Sequence, residues 1–222
     1  MDSGFSVRVP VISAGAGIVG ALGSQWLSHI FITRREMRAS KEKLNREQYF
    51  IATELVFMLE RYAEGCARIV ADYGKDNDDR QPEKEAETAH PKLNLTNVSG
   101  DWRTLDQHVL YRIRELPVLQ NEARNAIAYA AQIPDPPLHE RYFRERQYQF
   151  ARLGFRAVSI AVRLRRETAM PETRLNGHEW SAVNKFLDVL KRERPLRVAE
   201  AVRNKEWNQP VTLLNCDRES TL

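Results

Sequence analysis

From Pro10 to Ile32 the chain carries no formal charge, and every later stretch mixes apolar positions with Lys, Arg, Asp and Glu. As a helix that run extends roughly 34 Å, enough to cross a hydrocarbon core of about 30 Å. Beyond Arg34 apolar residues keep a helical period. Met37, Leu44, Ile51, Leu55, Met58, Tyr62, Cys66, Ile69 and Tyr73 are separated first by sevens, then by threes and fours, the seam of a coiled coil or of a bundle helix. No proline lies between Pro10 and Pro82, so the pattern predicts one helical rod from the apolar run to about Tyr73.

The period is lost over 74–100. Asp76 to Glu87 holds six acids against two bases, with Ala86 its one apolar residue. A segment so composed does not bury enough surface to order itself, which predicts a flexible polar linker. Periodicity resumes where Asp101 or Thr104 can cap a helix, with Leu105, Val109, Tyr111, Ile113 and Leu116 as its apolar surface. Pro117 is expected to break or kink it, and a further helix is predicted over 119–133. Leu138 to Thr168 reads as a second long helix, with Tyr142, Phe143, Phe150, Leu153, Ala157, Ile160, Ala161 and Leu164 facing a core. Trp180, Val183, Phe186, Leu187 and Leu190 mark another, expected to stop near Pro195, before a short last helix over 196–207.

No set of strands could build a sheet, so the fold class is all-α. An N-terminal transmembrane helix continues into a long helix, with a cytoplasmic antiparallel helical bundle. The divisions are a short extracytoplasmic N-terminus (1–9), the transmembrane helix (10–32) and a juxtamembrane long helix joining the bundle (33–73). The flexible linker (74–100), the bundle (101–207) and a loose tail (208–222) follow.

The apolar run admits a second reading. Gly15-Ala16-Gly17-Ile18-Val19-Gly20 fits G-x-G-x-x-G and follows the β-like Val7 to Ile12. It resembles the first turn of a dinucleotide-binding fold, which implies a soluble enzyme with Gly15, Gly17 and Gly20 against a pyrophosphate. That reading requires a β-α-β unit. Pro10 interrupts its first strand, and only His29 to Thr33 could be pressed into the second. A cleaved signal peptide would need a small-x-small site after the run, where Phe31-Ile32-Thr33-Arg34-Arg35 stands instead.

Flanking charge orients the anchor. Arg34, Arg35, Arg38, Lys41, Lys43 and Arg46 crowd its C-terminal side, against Arg8 before it. The positive-inside tendency then predicts a single-pass cell (inner) membrane protein with its N-terminus outside and its C-terminal domain cytoplasmic. Ser13, Gly17, Ala21, Ser24 and Ser28 recur on one helical face, narrow enough for a second membrane helix to pack closely and form a homo-oligomer.

Composition fits this division. A mean hydropathy of −0.54 with 42% hydrophobic residues describes a soluble body carrying a short apolar appendage. Cys66 and Cys216 stand far apart in unlike contexts, which argues against a disulfide framework. Net charge is +4, permitting anionic partners without demanding them.

Candidate chemistry adds little. The five histidines show no paired metal spacing, and Glu87-x-x-His90 has no second copy. His108 and His139 stand near helix starts among polar neighbours. There is no serine elbow or Walker loop, and Cys66 falls on the seam, where a thiol packs as a small hydrophobe. No catalytic residue, cofactor or metal site is therefore assigned. The strongest surface feature is a stripe of Arg141, Arg144, Arg152, Arg156 and Arg163, shared with Tyr148 and opposite much of the apolar face. It suits an anionic partner such as lipid, the acidic linker or an acidic protein. Nucleic acid is the least supported of these, since no recognised binding motif accompanies the stripe. Glu140, Glu145 and Glu167 would neutralise part of it. The expected function is a non-enzymatic scaffold or interaction module docking a protein partner; the alternative is an effector that signals by oligomerising its membrane helix.

Overall fold

Helix α1 runs unbroken from Arg8 to Val70, sixty-three residues, as the absence of proline after Pro10 and the abundance of good helix formers over 34–48 lead one to expect. The computed structural model describes residues 8–76, 84–134, 136, 138–175 and 177–207, and for 8–30, 32, 76 and 204–207 it describes the backbone alone. Three more long helices follow: α2 (Gln107–Ala131), α3 (Glu140–Glu167) and α4 (Ala182–Trp207). Among the described residues strand is confined to one antiparallel pair, β1 (Lys75–Asp76) with β2 (Lys84–Glu85).

Helix α3 is the centre of the bundle. Arg165 meets Glu60 and Arg146 meets Asp72, so α3 runs antiparallel to α1. Arg163 meets Asp106 and Arg156 meets Glu115, giving the same relation to α2. Arg197 meets Glu145, and Phe186 lies against Gly154, giving it again for α4. A Cβ on Gly154 would come within 2.3 Å of the Phe186 ring, so the bare backbone sets how closely α3 and α4 approach. Of the predicted seam of α1, Ile51, Leu55, Tyr62, Cys66 and Ile69 are buried and Met58 is half-buried, while Met37, Leu44 and Tyr73 are exposed; Leu59, which the spacing did not name, is buried beside them.

Helices α1 and α2, both antiparallel to α3, point the same way, and the chain must return the length of the bundle between them. The expected linker does this. Pro91 lies against Gly65 and Gly100 against Ile51, with Leu93, Leu95 and Val98 packed on the core. Gln120 Nε2 of α2 donates to the Pro91 carbonyl at 2.8 Å. Within its described part, 84–100, the segment is therefore a docked crossover and not a free linker. Its own composition could not order it, but the groove between α1 and α2 supplies the apolar surface it lacks.

Several boundaries differ from expectation. Asp101 caps a 3-10 turn (Trp102–Thr104), while Asp106 caps α2 by accepting from the His108 and Val109 N–H groups at 3.0 and 3.2 Å. Pro117 and Pro195 lie inside α2 and α4 without ending them. A proline forfeits one helical hydrogen bond, and for α2 the burial of Ile113, Leu116 and Gln120 on both sides of it holds the helix together. Gly15, Gly17 and Gly20 fall on helical backbone within α1, where the dinucleotide alternative requires a strand and a turn.

Among the described residues no helix is long and apolar enough to cross a membrane, so the described helices do not support the expected transmembrane span. Most of 10–32, with the packing face Ser13, Gly17, Ala21, Ser24 and Ser28, lies outside the residues whose side chains are described. The tail over 208–222 and the acidic residues 77–83 lie outside the described residues altogether.

Candidate functional site

Of the five arginines of the α3 stripe, Arg144, Arg156 and Arg163 meet carboxylates of the bundle itself. Arg163 donates to Asp106 at 3.0 Å and to Glu167 at 2.7 Å, fastening the start of α2 to the end of α3. Arg156 reaches Glu115 of α2 at 3.4 Å. Arg152 donates to Gln149 and lies 5.6 Å from the Tyr148 ring centroid. Arg144 turns the other way, to α4: its Nε donates to Glu193 at 2.8 Å and its Nη1 to Glu200 at 2.7 Å. The Glu200 bond comes first among the reasons that the Arg144 guanidinium is held above, and the Glu200 carboxyl below, their ordinary ranges. Arg141 stands near Arg144, at the α4 side of the bundle end. The five residues thus divide between two interhelical grooves.

Two charged side chains, Arg146 and Glu193, are almost wholly buried. Arg146 is 1% exposed and donates through Nη1 to Asp72 at 2.9 Å and through Nη2 to the Thr88 carbonyl. Asp72 also accepts from the Gly74 and Thr88 N–H groups, each at 2.9 Å. Burial alone would push its carboxyl up, but these hydrogen bonds and the Arg146 charge outweigh it and hold the group below its ordinary value. Gln147 Nε2 donates to the Asp72 carbonyl at 3.2 Å. This knot ties the end of α1, the start of the crossover and α3 together. One pattern could have revealed it: Arg146 sits between Phe143 and Phe150 at helical spacing, a charge in phase with the apolar stripe.

Cys66 and Tyr62 lie one turn apart on the buried face of α1. Burial pushes the thiol and the phenol of this pair well up, so neither ionises near neutrality. An inert buried thiol is what the seam position implied. His90 of the crossover packs its ring 4.8 Å from that of Phe150. His108 lines the groove between α2 and α3, and His139 holds a left-handed backbone at φ 48° just before α3. Among the described residues no group of three or more His, Cys, Asp or Glu is placed to hold a metal ion.

The surface offers clefts between helices. One of about 630 Å³ lies between α2 and α3 beside Arg156 and Arg163, and one of about 530 Å³ opens where α2 and α4 end and α3 begins. No family model, characterised protein or solved structure matches the chain.

Proposed function

We propose that this protein is a non-enzymatic, membrane-anchored interaction module: a helical bundle held off a bilayer on a helical stalk. The observation that carries the reading is the continuity of α1, whose one helix joins the uncharged run of 10–32 to the bundle core beginning at Ile51. A rigid connection of that kind fixes the distance and direction of the bundle. At 1.5 Å per residue the stalk from Ile32 to Ile51 is roughly 28 Å long. Lys and Arg at its base suit the anionic cytoplasmic leaflet.

Fractionation of native membranes tests this. Retention of the chain through carbonate and high-salt washes, with release by detergent, supports the anchor. Recovery in the soluble fraction without detergent overturns it. A second reading, self-association along the stalk, is favoured by Met37 and Leu44, which continue the core seam yet are 59% and 51% exposed. Replacing Gly17 and Ala21 together by Leu is expected to change the crosslinked species in membranes; an unchanged ladder counts against pairing through the membrane helix.

A further inference from the structure

Between α1 and the crossover a groove of about 470 Å³ runs past Arg61 and Arg68 on one wall and Lys92 on the other. Pro91 lies against Gly65, so Lys92 stands level with the middle of that stretch of α1. All three cations are exposed, and none has a hydrogen-bond or ion-pair partner among the described residues. Glu54 is the one acid among the residues lining the groove, two helical turns from Arg61.

The neutral polar groups lean the same way. Asn94 and Asn97 line the groove from the crossover. Asn94 Oδ1 accepts from the Thr96 N–H at 3.0 Å and from the Thr96 hydroxyl at 2.6 Å, and the same hydroxyl lies 3.4 Å from Asn97 Oδ1. Each amide thus turns its oxygen into the crossover and leaves its N–H donors to the groove. From Arg61 to Arg68 the donors are spread over about 10 Å, the reach of three extended residues. A lone phosphate would need them to converge on one point. The floor, Met58, Pro91 and Val98, is apolar and half-buried, and no exposed aromatic ring among the lining residues could stack a nucleic-acid base.

We propose that this groove docks an extended acidic segment of a partner protein, with its carboxylates on Arg61, Lys92 and Arg68 and its apolar side chains on Met58 and Val98. Donors on both walls suit an acceptor-rich chain, and charge-assisted hydrogen bonds to carboxylates are the strong ones. The inference rests on the interaction-module reading above, whose partner chemistry it names, and it is independent of the anchor.

Fluorescence polarisation on the full chain in detergent tests it, with a short labelled peptide of Glu interspersed with Leu as one probe and a labelled single-stranded oligonucleotide as the other. Saturable peptide binding is expected. Arg61→Glu with Lys92→Glu should weaken it by about tenfold or more. Lys185→Glu with Lys191→Glu makes the same change in net charge on exposed positions of α4 and should leave it within about twofold. Equal losses in the two double variants would mean attraction to overall charge, and would overturn the proposal. So would the absence of saturable binding, which is also the result if the acids of 77–83, outside the described residues but present in the full chain, fill the groove themselves. Tighter binding of the oligonucleotide with the same dependence on Arg61 and Lys92 overturns the choice of a protein partner. Fractionation tests the anchor separately, so the two failures are distinguishable.

Discussion

The two ends of the described part of α1 share one helix and one apolar seam but live in different solvents. Over 33–50 nearly every side chain is exposed, Met37 and Leu44 included, and the one ion pair within it, Lys43 to Glu47 at 3.9 Å, is wet on both sides. Over 51–70 the seam is closed, with Ile51, Leu55, Leu59, Cys66 and Ile69 all fully buried. Apolar spacing states which face of a helix could be covered; it does not state that a cover exists. The first part is helical by composition, the second by packing, and helices in proteins owe most of their stability to the second cause.

The largest effect should come from the ion pair that ends the buried part. Arg146→Leu leaves Asp72 sealed without its cation, which costs about 3–5 kcal/mol, measured as the shift of a urea unfolding curve. The wet pair offers the contrast: Glu47→Gln should move the same curve by less than about 0.5 kcal/mol. Adding Asp72→Asn to Arg146→Leu should return part of the loss, since the uncompensated charge is then gone. A loss under about 1 kcal/mol for Arg146→Leu would mean that the knot is not closed in solution.

Next comes a matched pair of leucines. Leu55→Ala removes a fully buried side chain and should cost about 2–5 kcal/mol, while Leu44→Ala, half exposed on the stalk, should cost less than about 0.5. If both substitutions cost alike, and the Leu44 effect grows with protein concentration, a second copy covers the stalk and the contrast belongs to the monomer alone.

How far the sequence anticipated this division depends on the range of the interactions involved. The seam of α1 and the stripe of α3 are periodic and local, so Ile51, Leu55, Tyr62, Phe150, Leu153 and Ile160 could be named as core from spacing. The crossover could not be. Its burial depends on α1 and α2 pointing the same way, and Leu93, Leu95 and Val98 carry no period of their own. The arginine stripe was legible as residues but not as partners, because Glu193 and Glu200 lie 49 and 56 positions from Arg144. Capping was misplaced for a different reason: Asp101 and Thr104 have suitable side chains, but a 3-10 turn intervenes and Asp106, which the pattern did not name, directly precedes α2.

A smaller effect is expected where the buried part hands over to the crossover. Gly74 holds φ +78°, and a Cβ there would meet the Phe143 ring at 2.5 Å. Gly74→Ala should therefore cost about 1–3 kcal/mol through strain and overpacking together. Hydrogen exchange would localise it, with faster exchange in the last turns of α1 and none in the stalk. Uniform acceleration of both parts would contradict a local cause.

The smallest effect is one of pH, and it bears on the same contrast because 33–50 contains no histidine. His90 packs on the fully buried Phe150, and burial first, then the charges of Arg146 and Arg124, hold its imidazole below the ordinary value. The folded state thus disfavours the protonated ring. The stability this contributes is complete above the unperturbed value near 6.5 and is lost as pH falls from there toward the lower folded value. Asp72, also depressed, acts in the same direction but in a separate window, below about 4. Melting temperature should therefore fall between pH 7 and pH 5, and His90→Phe should flatten that fall. Other histidines contribute alike to both proteins, so the difference between the two slopes isolates His90. Identical slopes would show that the crossover ring is open to water, and that the groove between α1 and α2 is covered less tightly than the burial of Ile51 to Ile69 implies.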